Sequence, residues 1–328
     1  MRIPVLPLII FTLCVSCSKT GNTPTSRPPG SDRPDTLVNL SHPTPLDTLG
    51  DWVRIGRSAT TLEDTWFTSN TDGIASSDSS LLITYDKGNT WAPVPNTRYS
   101  NLYNIQFLDN QNGFVQGPNS LGITHDGGAS WSFKPISSTN ALYFQFVNMT
   151  TGFYGDMPGL HKTQDAGDHW ASLMTYTQNI YPFYFLDSLT GYSMNNGILS
   201  KTIDGGISWS PKSTVAVPFS TTGYFRMQFI DTLTGYCGTA NGLSKTTDGG
   251  KTWTINLAQT PTYYIIPHFF DANNGYCLLS RTIYKTIDGG LNWTVSCQLS
   301  GDFFSGFHMV DMNTGFASTF GGYVLRLK

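Results

Sequence analysis

Charge is scarce in this chain of 328 residues: only 12% of positions are charged, and Glu63 is the single glutamate among 22 acidic residues. Lys and Arg total 19, leave a net charge of −3 and form no cluster. A nucleic-acid partner needs a basic stripe to neutralise phosphates, so that class is excluded. No stretch carries the 3.6-residue apolar period of a helix, and the one leading apolar run is too short to span a bilayer. A Gly-x-Ser-x-Gly elbow, a His-Glu-x-x-His helix, a phosphate-binding loop and cysteines at zinc spacing are all missing. No cofactor or metal is therefore expected.

What remains is rich in turns and rings. Gly numbers 33 and aromatics reach 13%, with Ser, Thr and Asn filling the gaps between short apolar runs, a profile of an all-β protein. One phrase recurs, first as Thr84-Tyr85-Asp86-Lys87-Gly88-Asn89-Thr90-Trp91 and then around Asp126, Asp165, Asp204, Asp248 and Asp288. Its tryptophans, Trp91, Trp131, Trp170, Trp209, Trp253 and Trp293, are spaced by 40, 39, 39, 44 and 40 residues, and Trp52 stands 39 before the first. A second phrase, aromatic then Gly then apolar, places Gly73, Gly113, Gly152, Gly191, Gly235, Gly275 and Gly315. A period near 40 with about four strand-length runs per unit is the pattern of propeller blades.

Seven glycine phrases against six aspartate phrases settle how the ring closes. The last unit stops before its own Asp and Trp, whereas the domain begins with Trp52-Val53-Arg54-Ile55-Gly56. The expected fold is an all-β, seven-bladed propeller over residues 51–328 whose last blade is completed by the N-terminal strand, which hides the open edges. The recurring aspartates and tryptophans are assigned to architecture: the carboxylate takes the N–H groups of its own turn, and the indole buries an apolar face between sheets.

The phrase Ser/Thr-x-Asp-x-Gly-x-Thr/Ser-Trp resembles the Asp boxes, or BNR repeats, of sialidases, sortilin-type receptors and several glycoside hydrolases. Residues 241–253, Asn-Gly-Leu-Ser-Lys-Thr-Thr-Asp-Gly-Gly-Lys-Thr-Trp, make the chain most similar to photosystem II stability/assembly-factor-like propellers. A sialidase relationship would imply an arginine triad and a Tyr–Glu pair. Glu63 is the only glutamate, Arg2-Ile3-Pro4 lies in the leader, and Arg54 and Arg326 fall in the outer strands of the last blade, so the sialidase reading is set aside.

Residues 1–17 read as a signal peptide and resemble a bacterial lipoprotein signal, with Ser16 before a lipidated Cys17. Residues 18–48, rich in Ser, Thr and Pro, bury too little to fold and read as a flexible tether. The resemblance implies export and a lipid anchor in the bacterial envelope. Ser18-Lys19-Thr20-Gly21 lacks the acidic residues of surface-exported lipoproteins, which favours the periplasmic face of the outer membrane. Cys237, Cys277 and Cys297 are expected as buried free thiols in a monomer.

Ligand-binding residues are sought where the inner strand of each blade begins. That rim holds Asp64, Tyr103, Tyr143, Tyr181, Tyr224, Arg226, Tyr264 and Asp302, enlarged by the loop from Pro211 to Gly223. Half of the tyrosines are expected to close the core between blades instead. His268 and His308 share a position seven residues before the repeat glycine, where Gln106, Gln145 and Gln228 stand in other units; they read as inward, hydrogen-bonded polar groups and are counted with the binding candidates. The leading function is a non-enzymatic scaffold that binds a protein or glycan. The alternative is a glycoside hydrolase using two of Glu63, Asp64, Asp78, Asp156, Asp168 and Asp302.

Overall fold

The computed structural model describes residues 49–58, 60–97, 101–136, 143–156, 159–175, 182–195, 198–213, 224–239, 241–258 and 264–328. The expected leader and tether, with Cys17, lie outside the described residues. The described chain forms antiparallel sheets arranged as seven blades. Their inner strands are Leu62–Phe67, Tyr103–Phe107, Tyr143–Phe146, Phe183–Phe185, Met227–Phe229, Tyr264–Phe269 and Phe304–Asp311, for blades 1 to 7 in order. These strands touch their neighbours around the ring. Blade 7 is a composite: Trp52–Arg57 pairs antiparallel with Tyr323–Leu327, from Trp52 opposite Leu327 to Arg57 opposite Tyr323, with a bulge between Arg54 and Gly56.

Blades 1 to 6 repeat one packing device. The aromatic near the end of the inner strand folds over the glycine opening the second strand; a Cβ at Gly73 or Gly113 would lie 2.7 Å from the ring of Phe67 or Phe107, whereas in blade 7 Met309 takes this place over Gly315. Only glycine leaves room for that ring. The residue after the glycine stacks on the corresponding aromatic of the next blade. Phe316 lies 3.4 Å from Phe67, Phe114 3.7 Å from Phe146, Phe153 3.4 Å from Phe185, Tyr192 3.6 Å from Phe229 and Tyr236 3.5 Å from Phe269. A lysine covers the outer face of several of these pairs, as Lys162 does 5.4 Å above Phe153 and Lys245 5.3 Å above Tyr236. The same ammonium groups reach into the next blade, where Lys162 donates to Gly205 O and Lys245 to Gly289 O. The Gly-x-x-Lys-Thr strand is thus a fastener between blades, with the lysine stem on an aromatic face and its head on a turn carbonyl.

The aspartate turn is satisfied internally. Asp86 Oδ1 accepts Thr90 N at 2.8 Å, Oδ2 accepts Thr90 Oγ1 at 2.6 Å, and Thr84 Oγ1 accepts Gly88 N at 3.0 Å. Trp91 Nε1 donates to Gly88 O at 3.0 Å. Two successive left-handed residues shape the turn, as at Gly127 and Gly128 with φ 73° and 92°. Trp52, 1% exposed, occupies the seventh tryptophan position against Phe307 and Met309, but its Nε1 donates to Ser296 Oγ at 2.9 Å because blade 7 has no turn carbonyl to offer.

Candidate functional site: the two ends of the axial channel

The turns that follow the inner strands and the aspartate turns share one face, since Gly127 N donates to Gln111 O, Gly205 N to Leu189 O and Gly289 N to Asn273 O. The strand starts lie at the other end, and there the structure gathers three of the expected rim residues. Arg226 places its guanidinium carbon 4.0 Å above the Tyr143 ring, and its charge reaches Asp64. Asp64 is 3% exposed; Oδ1 accepts Thr65 N and Oδ2 accepts Ile105 N, both at 2.8 Å, tying blade 1 to blade 2. Burial pushes its carboxyl well above the usual range against the pull of these bonds and of Arg226.

Tyr143 is buried, and burial raises its phenol despite Arg226. Tyr103 is pushed up to about 12 by burial, with a smaller opposing bond to Gln116. Asp302 serves its own connection, its oxygens accepting Phe303 N at 2.8 Å and Gly321 N at 3.1 Å. Asp64 and Tyr143 are thus buried at the strand starts, with Tyr103 partly buried beside them. The backbones of Tyr224 and Tyr264 pair in parallel register, joining blades 5 and 6. Tyr181 and most of the loop from Pro211 to Gly223 lie outside the described residues.

The concave feature sits at the opposite end, where the inner strands finish, a departure from the expected ligand face. It is a cavity of about 450 Å³ lined by blades 6, 7, 1 and 2, with His268, His308 and Trp66 among its walls and Asp109 and Asn110 at the turn of blade 2. His308 stacks on Trp66 with ring centres 4.0 Å apart, and its Nδ1 accepts Phe67 N at 3.3 Å. That bond bears out the inward polar reading for His308. Burial lowers His268 to about 4, and burial with the neighbouring His268 holds His308 well below its usual value, so both rings are neutral at physiological pH. Asp109 accepts Gln111 N and Asn112 N with Oδ1 and Asn112 Nδ2 with both oxygens.

Sequence reasoning missed Trp66, the only tryptophan outside the repeat position, although it occupies the same slot as the two histidines, seven residues before Gly73. Among the described residues no cluster of three His, Cys, Asp or Glu side chains is placed to hold a metal ion. Cys237, Cys277 and Cys297 are buried and form no disulfide among the described residues, and burial pushes the Cys237 and Cys277 thiols upward.

No protein family's sequence profile matches the chain, and no curated protein matches it. Solved structures do. The chain is similar to YCF48 bound to D1 peptide, at 16% identity over 89% of this chain and 97% of that one, with a TM-score of 0.63. It also resembles YCF48 from Cyanidioschyzon merolae, at 18% identity over 84% and 98% of the two chains, TM-score 0.62. A GH74 xyloglucanase from Xanthomonas campestris aligns at 12% identity over 81% of this chain but 43% of its own length, TM-score 0.62. At these identities the likeness establishes the seven-bladed fold.

Proposed function

We propose that this protein is a non-enzymatic binding scaffold, held at the bacterial envelope by a lipid on Cys17 and the tether of residues 18–48, with its propeller presented to a protein partner. The observation that carries the binding reading is the cavity itself: its ionisable groups can contact a ligand but are poorly suited to proton transfer. The two histidines are neutral and weakly basic, and the Asp109 carboxylate is saturated by its own turn. The fold likeness to a propeller bound to a peptide supports a polypeptide partner. The internally bonded aspartate turns fit the Asp-box assignment and withdraw those six carboxylates from chemistry.

The hydrolase alternative loses most of its candidates to local bonds. Asp64 and Asp302 accept backbone N–H groups, Asp156 binds His161 at 2.8 Å, and Asp168 pairs with Lys134 at 2.8 Å. Glu63 and Asp78 remain, close enough that Asp78 adds to the upward shift that burial gives Glu63. Crosslinking the tethered protein in its own cells should recover one dominant partner, and Cys17→Ser should release the protein from the membrane fraction. Turnover of aryl glycosides that is abolished by Glu63→Gln would sink the scaffold reading.

A further inference from the structure

Seven equivalent slots stand seven residues before the repeat glycine on the inner strands, and their occupants differ around the ring. Gln106, Gln145 and Gln228 each bond reciprocally to the next blade: Gln145 Nε2 donates to Phe185 O at 2.9 Å while its Oε1 accepts Phe185 N at 2.8 Å. Gln106 does the same with Phe146, and Gln228 with Phe269. Blade 4 has Tyr184 in the slot. In three successive blades, 6, 7 and 1, the slot holds His268, His308 and Trp66, and these line the cavity. The cavity lies where three neighbouring blades in a row lack the glutamine clasp.

Its two imidazoles have different roles. Because Nδ1 of His308 accepts a backbone N–H, the ring proton is on Nε2, and that edge is a donor. His268 is 4% exposed, lines the cavity and makes no side-chain hydrogen bond among the described residues. Neither nitrogen of His268 is sealed away as a buried unsatisfied atom, so the ring edge can be met by water or by a ligand group in the cavity. The two rings stand 6.0 Å apart centre to centre and perpendicular to one another, both on the cavity wall.

We propose that the axial cavity is a binding site for an uncharged phenol, its ring against Phe107 and Phe269 and its hydroxyl between His268 and His308. The lining argues for this class over others. No Lys or Arg is among the cavity's walls to meet an anion, and Asp109 stands among them. A sugar would set several hydroxyls against Phe270, Leu108, Met309 and Val310, with polar side chains besides the histidines and Trp66 only at Thr68, Asp109 and Asn110. One hydroxyl on a flat apolar ring matches two nitrogens in an aromatic cage. At about 450 Å³ the space exceeds one ring, so the phenol is carried on a larger body, either a tyrosyl residue of a polypeptide or a free aromatic alcohol. This inference rests on the binding reading above but not on the lipid anchor or the opposite rim.

Titration calorimetry of the purified protein with N-acetyl-tyrosinamide, N-acetyl-phenylalaninamide and p-cresol tests it. The tyrosine amide should bind about tenfold tighter than the phenylalanine amide, the weight of one added hydrogen-bonded hydroxyl. His268→Phe keeps an aromatic wall and removes one of the two hydroxyl partners, so the variant should remain folded and its tyrosine preference should shrink to what His308 alone supports. The tyrosine amide binding more tightly than p-cresol assigns a polypeptide source; the reverse order assigns a free phenol. Equal affinity of the parent for the two amides, a tyrosine preference undiminished in His268→Phe, or no saturable binding of any probe overturns the proposal. A protein that is crosslinked to a partner in cells yet ignores all three probes overturns the cavity assignment alone.

Discussion

At the residue scale, the aspartate turns show how a local rule is obeyed and where it is bent. Most turns place glycine at the first left-handed position, but Lys87 with φ 67° and Ala166 with φ 57° hold it without one. A non-glycine residue there costs about 1–2 kcal/mol, partly offset by the entropy glycine loses on folding. Lys87→Gly and Ala166→Gly should each raise the melting temperature, by roughly 0.5–1 kcal/mol in stability; a fall would show that the replaced side chain makes a compensating contact.

Titration belongs to the same scale. The Ser208 hydroxyl on Asp204, the Thr252 hydroxyl on Asp248 and the Asn292 N–H on Asp288 lower these carboxyls from 3.8 to about 2. Their contribution to stability is complete above the unfolded value and is lost as pH falls from there through about 2. His268 acts earlier: its folded value of about 4 lies below the ordinary 6.5, so between those values the unfolded chain binds a proton the native chain refuses. Stability should therefore begin to fall below about pH 6.5, well before the aspartates titrate. Thermal melts across pH 7 to 3 check this, and His268→Phe should flatten the upper part of the decline.

At the element scale, the bonds between blades are as regular as those within them. Reciprocal glutamine bonds, stacked aromatic pairs and lysine fasteners all run from one blade to the next. Gln145→Leu would leave Phe185 N and O buried without their side-chain partner, at a cost of roughly 2 kcal/mol or more. The expected result is a lower unfolding midpoint in urea with an unchanged far-ultraviolet spectrum. A midpoint equal to that of the parent would mean that water replaces the glutamine. The element pattern was legible in advance because strand, glycine and aspartate turn recur every 40 residues or so, and each is a local signal. The purpose of the repeat lysine was not legible, since its partner carbonyl lies 43 or 44 residues away in another blade.

At the scale of the whole molecule, ring closure is the decisive event. Trp52–Arg57 supplies the outer strand of blade 7, buries Trp52 and covers the edge of Tyr323–Leu327. Deleting residues 51–57 should lower the melting temperature sharply and promote aggregation through the exposed edge, whereas deleting residues 18–48 should leave it unchanged. Light scattering during thermal unfolding of the two deletions makes the comparison.

The sequence by itself determined the blade count, the composite last blade, the satisfied aspartate turns and the buried thiols, because each follows from a spacing or a short-range bond repeated along the chain. Asp64 and Tyr143, expected at the rim because they stand at strand starts, are buried once the ring is closed. The cavity was decided only by the tertiary structure. His308 and Trp66 stand 242 positions apart in the chain, yet their rings stack at 4.0 Å. Closure brings the last and first blades together, and the open end of the channel is created where their slots, together with that of blade 6, lack the glutamine clasp.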